Sequence, residues 1–206
     1  MKKLFFIIFS INFYFASNTI VLGGVLSVTI GESKIEYKKA YFAGGCFWCM
    51  EESFDKVKGV VKSISGYSGG YVKNPTYKQV SYNDTGHVEA VTVFYDPKLT
   101  NYEELLKVFW KNIDPFDSSG QFCDKGKSYR SVAFYETIKQ KKLIQSSILN
   151  IEKKFSKKKV VTLVWKFDEF YPAENYHQDY YQSNFLRYLA YKSACQREKT
   201  LKKIWN

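Results

Sequence analysis

Cys46 stands in the run Gly44-Gly45-Cys46-Phe47-Trp48-Cys49, between a glycine turn and an aromatic pair. Ala40 to Ala43 is an apolar run with the look of a strand, and Met50 to Val57 carries apolar residues at helical spacing, so the sequence puts Cys46 at a strand-to-helix junction. Unpaired backbone N–H groups and the positive end of the helix dipole at such a junction favour thiolate over thiol, lowering a cysteine pKa below its free value of about 8.5. A nucleophilic sulfur is the expectation. The commoner fate of a lone cysteine is to be a small apolar core residue; two flanking glycines and two aromatics prone to exposure argue for the reactive reading. A second candidate is Glu89, in the otherwise apolar strand pattern Val88 to Phe94. An outward-facing glutamate is the default, but a desolvated one would keep its proton near neutral pH and serve as an acid.

The elements that must position these groups follow in a mixed order. After a first helix ending near Lys58-Gly59, Val60 to Tyr67 reads as a strand running into Ser68-Gly69-Gly70-Tyr71. A long loop is expected from there to Gly86, because the turn signals Asn74-Pro75 and Asn83-Asp84 enclose nothing with a clear period. The strand His87 to Tyr95 and an amphipathic helix Asn101 to Lys111 come next, then a second long loop from Asp114 to Tyr129. Strand Ser131 to Tyr135, helix Lys139 to Phe155 and strand Val160 to Phe167 complete the pattern, and the tail from Tyr171 onward is expected to be irregular or helical. This order predicts an α+β two-layer sandwich with a mixed, mainly antiparallel sheet and an irregular C-terminal tail.

Several ordered motifs accompany these elements: Gly45-Cys46-Phe47-Trp48, Gly66-Tyr67-Ser68-Gly69-Gly70, Asn74-Pro75-Thr76-Tyr77, Thr85-Gly86-His87-Val88-Glu89-Ala90-Val91, Asp124 to Ser131 and Ala173-Glu174-Asn175-Tyr176-His177-Gln178. Together they resemble the A-type peptide methionine sulfoxide reductases, over roughly Tyr41 to Tyr181. The resemblance implies a ferredoxin-like α+β core and reduction of the S epimer of methionine sulfoxide, protein-bound or free, since one enzyme serves each epimer. It implies no bound cofactor, with a thioredoxin-like protein or a small thiol as reductant and oxidised proteins or peptides as partners.

The residue types suit that chemistry. A sulfoxide needs a nucleophile at sulfur and a proton donor at its polarised oxygen. Cys46 supplies the first and Glu89 the second. Tyr77 and Tyr129 can hydrogen-bond the oxygen, and Phe47 and Trp48 can wall the S-methyl group. Asp124 resembles the family's loop aspartate that supports the tyrosine and glutamate, with simple turn capping as the alternative. His87 and His177 are read as loop hydrogen-bonding and packing residues, His177 bracing the rear of the site. In so aromatic a chain, with 18% Phe, Trp and Tyr, most tyrosines are packing residues, and the motifs single these two out.

Cys49 departs from the family pattern, in which glycine is usual. Reduction leaves a sulfenic acid that a second thiol must condense with. The candidates are Cys195, favoured because the family's resolving cysteine commonly lies in a mobile C-terminal segment, then Cys49 one helical turn away, then Cys123; a relay among them is a further option. Four cysteines could also form two structural disulfides in any of three pairings. A thioredoxin-like oxidoreductase built on Cys46-Phe47-Trp48-Cys49 is disfavoured because such motifs place tryptophan before the first cysteine. A zinc module is disfavoured because only one cysteine pair is close in sequence, so no metal is expected.

Composition bounds the rest. The 206 residues, 45% hydrophobic, fit one compact domain, expected as a monomer over residues 31–206. The net charge of +11 is spread over lysine-rich polar faces such as Lys139-Gln140-Lys141-Lys142, a pattern that excludes a grouped nucleic-acid motif. Met1-Lys2-Lys3 and the apolar run Leu4 to Ala16 predict a secretory signal within residues 1–30, and so export to a bacterial periplasm; an uncleaved inner-membrane anchor is the alternative.

Overall fold

The computed structural model describes residues 36–156 and 158–206. The leader, the boundary after residue 30 and the question of cleavage therefore lie outside the described residues.

Alternation along the apolar strands sorts their side chains onto two faces. β1 (Lys38–Gly44) sends Ala40 and Phe42 to one side and Tyr41 and Ala43 to the other. α1 (Phe47–Asp55) follows at once, reversing the chain at Gly45, whose φ of +77° suits glycine and whose missing Cβ leaves room for the Gln121 side chain. β2 (Val60–Ser68), α2 (Tyr77–Tyr82), β3 (Val88–Tyr95) and α3 (Tyr102–Lys111) come next. A small hairpin, β4 (Gly120–Gln121) and β5 (Asp124–Lys125), leads into a 3₁₀ turn at Lys127–Tyr129 and β6 (Ser131–Tyr135). α4 (Ile138–Lys154), β7 (Leu163–Lys166), β8 (Phe170–Pro172), a 3₁₀ turn at Asn175–His177, α5 (Tyr180–Ser183), α6 (Phe185–Ala194) and α7 (Arg197–Trp205) complete the chain.

Six strands form one sheet in the order β7-β6-β1-β3-β2-β8, antiparallel throughout except for the β6–β7 pair. α1, α3 and α4 cover one face, where Phe42, Met50, Phe54, Val91, Val93, Leu105, Phe109 and Ile144 are all buried. Burying each such side chain contributes about 1.5–3 kcal/mol. The expected α+β two-layer arrangement with a mixed sheet is what forms.

Three expectations are corrected. The stretch from Asn74 to Gly86 contains α2, started by a capping box in which the Thr76 hydroxyl accepts from the Gln79 N–H while the Gln79 side chain accepts from the Thr76 N–H at 2.8 Å. Six residues are too few to show a period, so the cap was the readable signal. The loop after Asp114 holds the β4–β5 hairpin. The tail is helical: Tyr188 and Arg197 are buried, and the Trp205 indole N–H donates to the Ile113 carbonyl at 3.1 Å, so contacts with the body order a segment whose own apolar stripe is narrow.

Candidate active site

α1 starts on Cys46. Its carbonyl accepts the Cys49 and Met50 N–H groups at 3.2 and 3.3 Å, so Cys46 is the N-cap residue and its side chain sits at the helix mouth. Glu89 reaches the same mouth from β3. Because its side chain points to the same face as Val91 and Val93, it lies under α1, and its carboxylate accepts the Phe47 N–H at 3.0 Å, satisfying one of the helix's orphan donors. Tyr77 is the first residue of α2 and Tyr129 ends the 3₁₀ turn. Glu174 fixes the α2 start by accepting from the Tyr77 N–H and the Tyr67 hydroxyl, both at 2.9 Å.

Cys46, Phe47, Trp48, Tyr77, Glu89, Asp124, Tyr129 and Tyr191 line one cavity of about 60 Å³. A larger groove of about 730 Å³ runs over α6 and α7, but its lining of lysines, Leu189, Ser193, Gln196 and Glu198 contains no sulfur nucleophile. Chemistry, not size, selects the smaller space. His177 packs behind it, with ring centroids 4.4 Å from Tyr77 and 5.0 Å from Phe47, and neither of its buried ring nitrogens has a hydrogen-bond partner. Burial holds His177 below its ordinary pKa and so favours the neutral ring. His87 lies in the glycine-loop region, accepting the Gly70 N–H at 3.1 Å and donating to the Val72 carbonyl at 2.7 Å.

Burial sets the electrostatics. The Glu89 carboxyl is pushed up to about 8, first by desolvation and then by the charges of Asp124 and Cys49, against the pull of the Phe47 N–H. It is a neutral acid at pH 7. Desolvation, then the nearby Glu89, raises both Tyr77 and Tyr129, leaving two phenol donors. Desolvation also raises the Cys46 thiol, contrary to the sequence expectation of a lowered pKa: with Cys46 4% exposed, loss of solvent outweighs the helix start. Cys49 moves the other way, to about 7, because the Cys46 thiol hydrogen-bonds to it and the Arg197 guanidinium lies near. Of the two thiols, Cys49 is therefore the one that gives up its proton more readily.

The tail supplies groups that motif reading did not single out. Trp48 stacks on Tyr180 with centroids 3.8 Å apart and meets the edge of Tyr191 at 5.9 Å. The Tyr191 hydroxyl donates to Asp124 at 2.5 Å, and the Tyr188 hydroxyl to Glu52 at 2.5 Å beside the Lys192–Glu52 ion pair at 2.8 Å. Arg197 donates to the carbonyls of Asn112 at 2.6 Å and Gly44 at 3.2 Å, pinning α7 to the strand before Cys46. Tyr188, Tyr191 and Cys195 fall at i, i+3 and i+7, one helical face, which was the readable signal. Cys195 is bonded to Cys123 across 4.9 Å between Cα atoms, while Cys46 and Cys49 are free and buried.

Residues 38–206 match the family model described as peptide methionine sulfoxide reductase. The peptide methionine sulfoxide reductase MsrA of Bacillus licheniformis is 47% identical over 167 residues, 81% of this chain and 92% of that protein. That of Listeria monocytogenes serotype 4b is 45% identical over 175 residues, 84% of this chain and 98% of its own length. The MsrA/MsrB protein of Vibrio cholerae is 44% identical over 178 residues, 86% of this chain but 47% of its own length, so the chain spans about half of it. Among solved structures, reduced Mxr1 from Saccharomyces cerevisiae is similar with a TM-score of 0.66 and 32% identity, over 72% of this chain and 86% of that one. Methionine sulfoxide reductase A of Corynebacterium diphtheriae gives 0.66 at 26% identity, over 76% and 79%. A buried cysteine at a helix start, facing a protonated glutamate and two phenols, is thus set in a chain that belongs to the peptide methionine sulfoxide reductase family and acts as a peptide-methionine (S)-S-oxide reductase.

Proposed function

We propose that Cys46 is the nucleophile and Glu89 the acid in this reduction. The sulfoxide side chain enters the cavity with its methyl group against Phe47 and Trp48 and its oxygen toward Glu89, Tyr77 and Tyr129. Cys46 attacks sulfur while Glu89 gives its proton to the oxygen; the sulfur–oxygen bond of the substrate breaks, methionine leaves, and the oxygen stays on Cys46 as a sulfenic acid. The proton of the Cys46 thiol restores Glu89, so the step balances as thiol plus sulfoxide giving sulfenic acid plus thioether. The observation that carries this reading is a buried carboxyl, pushed to about 8, in the same cavity as Cys46. An assay with the separate S and R epimers and dithiothreitol tests it: turnover of S alone is expected, and equal turnover of both epimers would defeat it.

Cys49, buried beside Cys46 and the more readily ionised of the two, condenses with the sulfenic acid: the sulfur–oxygen bond on Cys46 breaks, the Cys46–Cys49 disulfide forms, and the oxygen leaves as water with the proton of the Cys49 thiol. Exchange then passes the oxidation to Cys123 and Cys195, because thiol–disulfide exchange with a protein reductant needs a reachable sulfur: Cys46 and Cys49 are at most 4% exposed, whereas Cys123 is exposed. Cys195, the first-named resolving candidate, thus acts after Cys49. A thioredoxin-like protein reduces the outer pair. Export by the N-terminal leader, with a periplasmic reductant, completes the proposal; fractionation of cells tests it, and full-length protein confined to the cytoplasm would refute it.

A further inference from the structure

Two of the cavity's residues come from segments that the disulfide joins. Cys123 immediately precedes Asp124, and Cys195 lies one helical turn beyond Tyr191. The bond therefore brackets the Tyr191–Asp124 hydrogen bond on both sides, bringing α6 against β5 where both side chains face Cys46 and Glu89. We propose that Tyr191 is a positioning residue for the reaction: it fixes the Asp124 carboxylate in the cavity wall, and the charge kept there holds the proton on Glu89. The inference rests on the reading of Glu89 as the acid.

Asp124 is partly buried, and burial alone would drive it toward the neutral acid; the Tyr191 hydroxyl, then Arg197 from α7 and Lys125 beside it, oppose that. No other side chain donates to Asp124 among the described residues, since the sulfur of Cys123 carries no proton in the disulfide. Around Glu89 the other titratable groups are Cys46 and Cys49 from α1, Tyr67 from β2, Tyr77 from α2, Tyr129 from the 3₁₀ turn Lys127–Tyr129 and Tyr191 from α6. Asp124 and Cys49 are the neighbours whose negative charge raises Glu89, because negative charge close by favours the protonated carboxyl. Tyr191 thus reaches Glu89 through Asp124, while its hydroxyl also lies beside the Cys46 sulfur and lowers that thiol's pKa against the larger effect of burial.

The test is a carbon-13 titration of the Asp124 and Glu89 carboxyl groups in the full protein with the Cys123–Cys195 bond closed, for wild type, Tyr191→Phe and Asp124→Asn. Tyr191→Phe keeps the ring that packs on Trp48 and removes only the donor. The Asp124 midpoint should rise by roughly one pH unit in this variant and the Glu89 midpoint should fall, while Asp124→Asn should lower the Glu89 midpoint by at least as much. In thioredoxin-coupled turnover the alkaline limb of the rate profile of Tyr191→Phe should move to lower pH in step. An Asp124 midpoint unchanged in Tyr191→Phe overturns the proposal. So does a Glu89 midpoint unchanged in Asp124→Asn, which serves as the deciding variant if Tyr191→Phe does not fold. Because the titration needs no turnover, loss of the proposed reaction would appear in the epimer assay, apart from these midpoints.

Discussion

The two cysteine pairs of this chain obey opposite rules. Cys46 and Cys49 are three residues apart at one helix start, both buried, and both free. Cys123 and Cys195 are separated by 72 residues, lie nearer the surface, and are bonded. In the first pair, burial and the hydrogen bond between the two sulfurs determine which ionises more readily. In the second, closing so long a loop restricts the unfolded chain and stabilises the fold by about 4 kcal/mol in the loop-entropy account. Cys123 in this pair is also exposed to solvent. One domain therefore holds its free sulfurs dry and its bonded sulfurs nearer solvent, with the Tyr191–Asp124 hydrogen bond beside both.

Cys46→Ser breaks the inner pair most completely. Turnover should vanish with either dithiothreitol or thioredoxin while circular dichroism is unchanged, because a hydroxyl cannot take up the oxygen as a sulfenic acid does; residual turnover would move the nucleophile elsewhere. Glu89→Gln comes next, with an expected loss of roughly 10²–10⁴-fold in rate, the usual worth of a general acid. Wild-type rate should fall as pH rises through about 8, where Glu89 gives up its proton, and the glutamine variant should lack that limb.

Exchange chemistry sharpens the contrast between the pairs. Cys195→Ser should keep dithiothreitol turnover, since a small thiol reaches the inner sulfurs, and lose most thioredoxin turnover. Peptide mapping after one turnover should then find Cys46 joined to Cys49. Full thioredoxin activity in this variant would reduce the outer pair to a brace.

The smallest expected effect concerns Glu51, on the buried face of α1 with one carboxylate oxygen unpartnered. Desolvation pushes it to about 8 from an ordinary 4.5, as it does Glu89. At this group the folded chain then binds more protons than the unfolded chain between those values, so its contribution to stability is fully present below about pH 4.5 and declines as pH rises toward 8. Glu51→Gln should flatten part of that decline in urea titrations run across the range, and an unchanged slope would assign it to other groups.

Much of the fold was legible because its signals are local. Val88 to Tyr95 alternates, Tyr102 to Lys111 has a strong apolar face, and Ser131 to Tyr135 is bounded as read. α2 escaped because its cue is a cap over six residues, and the tail helices because their order comes from contacts such as Arg197 on the Gly44 and Asn112 carbonyls. The ordered motifs around Cys46, Glu89, Tyr77 and Tyr129 settled by themselves which residue types are present for sulfoxide chemistry and in what sequence. Protonation was not fixed in that way. Whether Cys46 or Cys49 ionises depends on the hydrogen bond between them in the folded chain, on how much solvent each loses and on Arg197, 148 positions beyond Cys49 in the chain. The bond between Cys123 and Cys195, and the Tyr191 hydroxyl on Asp124, exist only because folding brings α6 against β5, and no spacing along the chain encodes that meeting.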